Sequence, residues 1–315
     1  MFLPSPRRMP RVSMTTTPPT DDRSPATPAF RASALVELAR PAQWIKNGFV
    51  LLPLIFAQAA GNPAAVRGAL LATLAFCLAS SAVYAGNDAI DVERDRRHPV
   101  KCNRPVARGA LAPASALVYA ALLAAIALAI AALGGGVMLV ATLAGYLVLQ
   151  IAYTLALKHV AYVGAFAVAL GFVLRIVAGG IGADVPLTPW IVALGFLLAL
   201  LLALGKRHGE LVNARAEGAG LRYDRVMLER ILVGIAAATF TAYVLYTISP
   251  SVLARHGHHP LVFSTPWVAL GLGRYLKVAL RDGAGSDPSA LAVSDPYLLV
   301  AVSGWLATLA LILYR

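Results

Sequence analysis

The chain has 315 residues, of which 59% are apolar and 13% are charged, and its mean hydropathy is +0.72. Soluble domains carry about 25% charged residues, so this composition excludes a water-soluble globule and also a disordered chain. The net charge is +12. In so apolar a chain we interpret the basic excess as anchors for cytoplasmic loops, and we expect no nucleic-acid partner.

The first 40 residues differ from the rest of the chain. They contain seven prolines and many Ser and Thr residues, and they have no apolar run long enough to bury. Such a composition does not supply the apolar surface that offsets the entropy of folding. We therefore predict a disordered basic cytoplasmic tail over residues 1–40 and one transmembrane domain over residues 41–315.

Apolar segments of about 20 residues recur from residue 44 onward, and this length crosses the hydrocarbon core of a bilayer. The predicted spans are 44–60, 68–86, 113–132, 135–157, 160–183, 188–205, 230–250, 261–280 and 296–314. Backbone groups in lipid must be paired internally, so these segments are predicted to be helices. The fold class is therefore an all-α polytopic membrane protein with about nine transmembrane helices. The first and eighth segments are less regular because they contain Pro53 and Pro266.

The distribution of basic residues predicts the orientation. If the N-terminus lies inside, 23 Lys and Arg residues fall on the cytoplasmic side and three on the other, with Arg175 inside a span. Loops rich in Lys and Arg stay in the cytoplasm. We expect a multi-pass protein of the cell (inner) membrane with a cytoplasmic N-terminus.

Acidic residues are scarce, so their placement is informative. On a helix, Asp88, Asp91 and Asp95 fall within about 60° of one another, and Asn87 borders the same face. Three carboxylates on one face repel each other unless a cation lies among them, and Mg²⁺ takes oxygen ligands while keeping phosphates in its shell. The stripe therefore indicates a magnesium site at the membrane interface.

A basic run over residues 98–105 follows the carboxylates at once and contains Lys101 and Arg104. Carboxylates with a metal on one side and Lys or Arg on the other are typical of a diphosphate site. The alternative is a solvated loop helix in which arginines at 94, 96 and 97 neutralise the acids. Both interpretations stay open at this point.

Two further clusters are expected on the same membrane face. Tyr153 and Lys158 end the fourth predicted span, while Lys206 and Arg207 leave the sixth. Either cluster fits substrate binding or simple interfacial anchoring. Arg175 lies deeper, where a charge is costly and needs a partner. We expect that partner to be an anionic substrate group or one of the carboxylates, with purely structural pairing as the alternative.

Several strings resemble the UbiA-type intramembrane prenyltransferase superfamily. They are RPAQWIKN at 40–47, NDAIDVERDRRHPVKCNRPVARG at 87–109, YTLALKH at 153–159, GFVLRIVAGG at 171–180 and GKRHGE at 205–210. The resemblance implies helices around a cavity that opens to the cytoplasm. It also makes residues 41–315 a UbiA-like transmembrane catalytic domain.

Within the superfamily, the chain is most similar to the branch that transfers phosphoribose to decaprenyl phosphate. The loop GKRHGELVNARAEG lacks the second Asp-rich motif of the aromatic prenyltransferases. The resemblance implies a pentosyltransferase that moves 5-phosphoribose from phosphoribosyl diphosphate to a polyprenyl (decaprenyl) phosphate and releases diphosphate, for a cell-wall arabinan precursor. One departure is Gly164, where that branch commonly has Asp.

The same resemblance implies roles for the singled-out residues. Asp88, Asp91 and Asp95 would hold Mg²⁺, and Asn87 would ligate the metal or orient the ribose. Lys46 joins them in the predicted catalytic set. The phosphates would be neutralised by basic residues that the sequence cannot assign one by one: Lys101, Arg104, Lys158, Lys206 and Arg207. Tyr153 and Arg175 complete the predicted substrate site.

Two other functions remain as alternatives. A UbiA-type enzyme of the same fold could move a prenyl group from a prenyl diphosphate to an aromatic or other acceptor, since both reactions ionise a carbon–diphosphate bond. A non-enzymatic transporter is the remote alternative, because its ionisable residues would be spread through the membrane. The expected partners are the bilayer, the lipid phosphate and phosphoribosyl diphosphate, and an oligomer stays open.

Overall fold

The computed structural model describes residues 32–216, 224–255, 261–281, 290–291 and 294–313. Over this part of the chain the regular structure is helical and contains no strand, which confirms the all-α class. The α-helices are α1 Ala32–Ala39, α2 Leu52–Phe56, α3 Pro63–Ile90, α4 Val92–Arg96, α5 Pro113–Leu155, α6 Val163–Ala183, α7 Pro189–Ala216, α8 Arg225–Ile248, α9 Pro250–Arg255, α10 Thr265–Arg281 and α11 Pro296–Leu313.

Six of these helices, α3, α5, α6, α7, α8 and α11, are long and apolar enough to cross a membrane. The chain is therefore an integral membrane protein. The predicted count of nine is not confirmed, because the first and eighth segments are not long regular helices. Residues Pro41–Leu51 form a 3-10 helix that continues into α2, and α10 has only 17 residues.

The longest helix, α5, changes direction close to the boundary between the predicted spans 113–132 and 135–157. Gly135 and Gly136 have non-helical backbone angles, and φ of Gly136 is +61°, a conformation that glycine adopts without steric cost. On one side of this break, Ala116 packs in a cluster with Ala85 near the end of α3. On the other side, Thr154 bonds to the same end of α3. The two halves of α5 are therefore antiparallel neighbours.

Small residues let α3 and α6 approach closely. A Cβ atom at Gly68 would lie 1.8 Å from the carbonyl oxygen of Gly182, and one at Gly179 would lie 1.9 Å from the carbonyl oxygen of Val50. Glycines at such contacts let the helix backbones approach closely. This contact holds α6 and the 3-10 helix against α3, whose last turn carries the predicted site.

The N-terminal boundary needs a correction. Residues 1–31 of the predicted tail lie outside the described residues, but residues 32–39 form α1 rather than a disordered segment. Ala34 and Leu38 of α1 are buried in a cluster with Val106 and Leu111 of the loop after α4. An apolar pair one turn apart is enough to dock a two-turn helix on this surface, so the folded domain begins before residue 40.

Candidate active site

The predicted carboxylate stripe spans a helix boundary. Asp88 lies in the last turn of α3, Asp91 follows the final residue of that helix, and Asp95 lies in α4. Asp91 has φ −90° and ψ 9°, which are not helical angles. The expectation that all three aspartates lie on one continuous helix is therefore wrong at this residue. The backbone N–H of Asp95 still bonds to the carbonyl of Asp91 at 2.9 Å. The three side chains therefore stay in one region but do not form a straight stripe.

Asp88 is 1% exposed and contacts two arginines. Nη2 of Arg40 donates to Oδ1 of Asp88 at 2.6 Å, and Nη1 of Arg104 donates to the same oxygen at 3.2 Å. The other oxygen, Oδ2, is buried and has no hydrogen-bond partner, and within the described ranges it is the single buried side-chain N or O atom in that condition. Buried oxygens are almost always paired, so this one marks a place for a ligand.

Asp95 and Asp91 have different basic partners. Nη1 of Arg104 also donates to Oδ2 of Asp95 at 2.5 Å, so one guanidinium nitrogen joins the buried Asp88 and Asp95 carboxylates. Asp91 accepts from Nζ of Lys158 at 3.1 and 3.2 Å, and Arg94 lies 3.6 Å away. Each of the three carboxylates thus contacts at least one Lys or Arg side chain.

The donor set fits a divalent cation at two carboxylates. Asp88 and Asp95 are hard oxygen donors that meet at one nitrogen of Arg104, and Asp88 keeps an unpartnered oxygen. Among the residues that the structure describes, no three His, Cys, Asp or Glu side chains are placed to share one ion. The expected three-carboxylate grouping is not assembled, because Asp91 is drawn away to Lys158.

Other predicted residues line the region around the carboxylates. Oδ1 of Asn87 accepts a hydrogen bond from the hydroxyl of Thr154 at 2.7 Å, which fixes the amide beside Asp88. Arg207 donates to Glu210 at 2.7 Å and to the hydroxyl of Tyr153 at 2.9 Å. The ends of α5 and α7 are therefore joined next to the carboxylate segment.

The three remaining predicted lysines differ in their surroundings. Lys101 is half-buried, and this burial, followed by the charge of Arg104, lowers the pKa of its ammonium group from the usual value. Lys206 is 54% exposed and lies 4.0 Å from Glu210. Lys46 is half-buried in the 3-10 helix. Of these three lysines, Lys101 is the nearest to Asp95 in the sequence, and it interacts electrostatically with the Asp95 carboxylate.

Arg175 does not pair with a carboxylate, and that alternative is wrong. Its Nε donates to Oδ1 of Asn47 at 2.8 Å, its Nη2 to the hydroxyl of Tyr146 at 3.0 Å, and its Nη1 to a backbone carbonyl in α6. Cζ of Arg175 also lies over the rings of Tyr146 and Phe172, at 4.9 and 5.0 Å from the ring centroids, within the range of a cation–π contact. The structure shows the structural pairing that the sequence left open.

Two residues of the site were not singled out by their sequence pattern. Arg40 lies 48 residues before Asp88, and Asn47 lies 128 residues before Arg175. Both belong to the string RPAQWIKN at 40–47, which resembles the UbiA-type superfamily but assigned no role to either residue. The resemblance was the one signal available, since no local spacing links residues so far apart.

The fold and this site together define a class of protein. It is a helical membrane protein in which buried carboxylates meet several arginines and lysines at one end of the helix bundle. The model of the UbiA prenyltransferase family matches residues 49–294, and the chain belongs to this family.

Relatives and solved structures of known name are similar over most of the chain. Decaprenyl-phosphate phosphoribosyltransferase of Corynebacterium glutamicum is 31% identical, over 93% of this chain and 91% of the relative. The protein of the same name from Mycolicibacterium smegmatis is 33% identical, over 91% and 94% respectively. The structure of a UbiA homolog from Archaeoglobus fulgidus bound to DMAPP and Mg²⁺ has a TM-score of 0.66 and 16% identity, covering 89% of this chain and 99% of that one.

Proposed function

We propose that the protein transfers 5-phosphoribose from phosphoribosyl diphosphate to a polyprenyl (decaprenyl) phosphate, with release of diphosphate. The observation that carries this proposal is the similarity to two phosphoribosyltransferases over nine-tenths of the chain. The end of α7 supports it. There Glu210 is paired with Arg207 at 2.7 Å. A donor with several phosphates is suited to a site in which basic groups outnumber acids.

The basic side chains of the site would divide the phosphates of the donor and the lipid among them. Lys158 contacts Asp91, Lys101 lies in the electrostatic field of Asp95, and Arg207 on α7 is held by Tyr153 at the end of α5. Cations placed around phosphates stabilise the charge that builds on the departing diphosphate. Arg175, which is held by neutral partners deeper in the bundle, would keep the 3-10 helix and α6 in register.

Mg²⁺ would be held by Asp88 and Asp95, with Asp91 and Asn87 next to them, and it would neutralise negative charge on the diphosphate. The lipid phosphate that attacks C1 of the ribose is already ionised near neutral pH, so the chain needs no general base. Asn87, whose amide oxygen accepts from Thr154, would orient a ribose hydroxyl. Tyr153 holds Arg207 at the position where it would meet a phosphate.

The orientation in the membrane belongs to the same proposal. The predicted topology assigns 23 of the 27 Lys and Arg residues to the membrane side that carries Asp88, Lys158 and Arg207. Positively charged ends of membrane helices stay in the cytoplasm. The active site would therefore face the cytoplasm of the cell (inner) membrane, where a soluble phosphoribosyl donor is available, while the lipid phosphate enters from the bilayer.

A transfer assay tests the proposal. The purified full chain in liposomes that contain decaprenyl phosphate is supplied with Mg²⁺ and radiolabelled phosphoribosyl diphosphate. The expected result is one labelled lipid and one diphosphate for each donor consumed, with no product when the lipid phosphate is omitted. A parallel assay offers geranyl and longer prenyl diphosphates with an aromatic acceptor.

The two assays separate the proposal from its alternatives. Consumption of prenyl diphosphates alone would contradict phosphoribosyl transfer and would favour a prenyltransferase of the same fold. Consumption of neither donor, by protein that is folded and inserted, would contradict both enzymatic functions. We expect label in the lipid fraction from phosphoribosyl diphosphate only.

A further inference from the structure

The carboxylate of Asp88 is bonded unevenly. Both Arg40 and Arg104 donate to Oδ1, at 2.6 and 3.2 Å, whereas the buried Oδ2 has no partner. A buried oxygen that could accept a hydrogen bond and does not is costly in free energy. Two arginines could satisfy both oxygens of the carboxylate. Because both donate to Oδ1, the Oδ2 oxygen stays available to a further ligand.

Arg40 is fixed in an unusual way. It links α1 to the 3-10 helix with φ 51° and ψ 60°, a left-handed conformation that is uncommon for a residue with a Cβ atom. Its guanidinium lies over the ring of Tyr84, 5.0 Å from the centroid. Tyr84 is one helical turn before Asp88 on the same face of α3. The ring of Tyr84 and the carboxylate of Asp88 therefore fix the position of the Arg40 guanidinium.

The surroundings of Arg40 also hold its backbone. Leu38, two residues earlier, is buried in a cluster with Ala85 and Ala89 of α3. Glu37 forms a paired contact with Arg108 of the loop after α4, at 2.6 and 2.9 Å. Helix α1 is thus attached both to α3 and to the loop that supplies Arg104, and it brings Arg40 to Asp88 across 48 residues of sequence.

We propose that Arg40 is a positioning residue that, with Arg104, turns Asp88 so that its Oδ2 oxygen faces a divalent cation. This inference rests on the proposed function for the presence of that cation. Arg104 divides its Nη1 group between Asp88 and Asp95, whereas of these two carboxylates Arg40 contacts Asp88 only. The orientation of Asp88 therefore depends on Arg40 more than the orientation of Asp95 does.

Positioning and simple charge compensation predict opposite changes in metal affinity. If Arg40 acted through its charge alone, a neutral residue in its place would remove a positive charge near the cation and tighten cation binding. If Arg40 fixes the oxygen that binds, its loss lets Asp88 rotate. Loss of a group that orients a metal ligand weakens metal affinity by about tenfold or more.

The test measures Mn²⁺ binding to the purified full chain in detergent, by electron paramagnetic resonance, with no phosphate compound present. Arg40→Met is expected to weaken Mn²⁺ binding by about tenfold, while Arg40→Lys, which keeps a charged donor, is expected to recover part of the loss. Arg225→Met breaks an arginine–carboxylate contact on α8, with Glu229 at 2.7 Å, that does not involve Asp88 or the attachment of α1. We expect it to bind Mn²⁺ as the unaltered protein does. Asp88→Asn is expected to abolish this binding.

Several outcomes would overturn the proposal. Unchanged or tighter Mn²⁺ binding in Arg40→Met would exclude positioning, and so would binding that persists in Asp88→Asn or is absent from the unaltered protein. Thermal unfolding of each variant shows whether it is folded. If Arg40→Met does not fold, Arg40→Lys decides: weaker binding supports the proposal, and unaltered binding overturns it.

The same measurements separate this inference from the proposed function. Mn²⁺ binding involves neither phosphoribosyl diphosphate nor the lipid. A failed transfer assay together with weakened Mn²⁺ binding in Arg40→Met would remove the proposed reaction and keep the role of Arg40. A successful transfer assay together with unchanged Mn²⁺ binding in Arg40→Met would keep the proposed reaction and remove the role of Arg40.

Discussion

Two of the buried aspartates in the described part of the chain, Asp88 and Asp295, face arginines in pairs that differ in one respect. Asp295 accepts from Arg274 at both carboxylate oxygens, at 2.6 to 3.2 Å, and from the backbone N–H of Leu298 at 3.0 Å. Arg274 also lies over the ring of Tyr297. Asp88 has two arginines on one oxygen and none on the other. A fully paired carboxylate joins elements of the fold, whereas a half-paired one keeps the capacity to bind a ligand.

The location of the two pairs agrees with this difference. Asp295 precedes α11 and caps its first turn, so its contacts join α10 to α11. Asp88 ends α3 at the point where α1, the loop after α4 and the end of α5 meet. Hydrogen bonds from Arg274 lower the pKa of Asp295 from its ordinary value, which keeps that acid ionised. The first pair therefore serves stability, and we expect the second to serve chemistry.

The largest expected effect is on turnover, in Asp91→Asn. Asp91 is the most exposed of the three carboxylates and contacts Lys158 and Arg94, so its loss disturbs the fold least. We expect the turnover number to fall about a hundredfold, because a charge next to the cation and diphosphate is removed. Initial rates of labelled lipid formation, with a thermal unfolding curve, measure it.

Glu93→Gln provides the matched control for that change. Glu93 lies on the same stretch but is exposed and pairs with Arg96 on the surface. Exposed ion pairs contribute little, so both turnover and unfolding should stay as they are. Equal activity of Asp91→Asn and the unaltered protein would show that Asp91 takes no part in the reaction.

The second effect is on stability, in Asp295→Asn. The pKa of Asp295 is lower in the folded state than in the unfolded chain, so its stabilisation is present above the unfolded pKa and is lost as the pH falls through the folded pKa. We expect a lower unfolding temperature at neutral pH and a smaller loss of stability on acidification. Mn²⁺ binding should not change. Weakened Mn²⁺ binding here would break the distinction between the two aspartates.

The smallest effect is a shift in a pH profile, in Lys101→Arg. Because burial and then Arg104 lower the pKa of Lys101, its charge is lost at a lower pH than that of an ordinary lysine. The value of kcat/KM for phosphoribosyl diphosphate should therefore decline on the alkaline side, and Lys101→Arg should move that decline to higher pH. The same change at the exposed Lys277 of α10 serves as control. Superimposable profiles for all three proteins would exclude Lys101 as a phosphate contact.

The sequence predicted the helices better than it predicted the contacts of the site. Hydropathy located the long helices α3 and α6, and the boundary between the predicted spans 113–132 and 135–157 falls close to the turn inside α5. It placed the first and eighth segments only roughly, because Pro53 and the short length of α10 remove the regular periodicity. Hydropathy also placed the start of the folded domain too late. Helix α1 has only two turns, so its buried Ala34 and Leu38 do not form a recognisable apolar pattern in the sequence.

What the sequence by itself determined is the class of protein and the chemistry at one end of it. Apolar segments long enough to span a bilayer must form helices, and scarce carboxylates next to a basic run identify a polar site. Only the tertiary structure decided which cation meets which carboxylate. Asp88 meets arginines 16 and 48 residues away, and Asp91 meets Lys158 across 67 residues. Such pairs depend on how α1, α3 and α5 pack, and packing is a property of the whole fold rather than of local spacing.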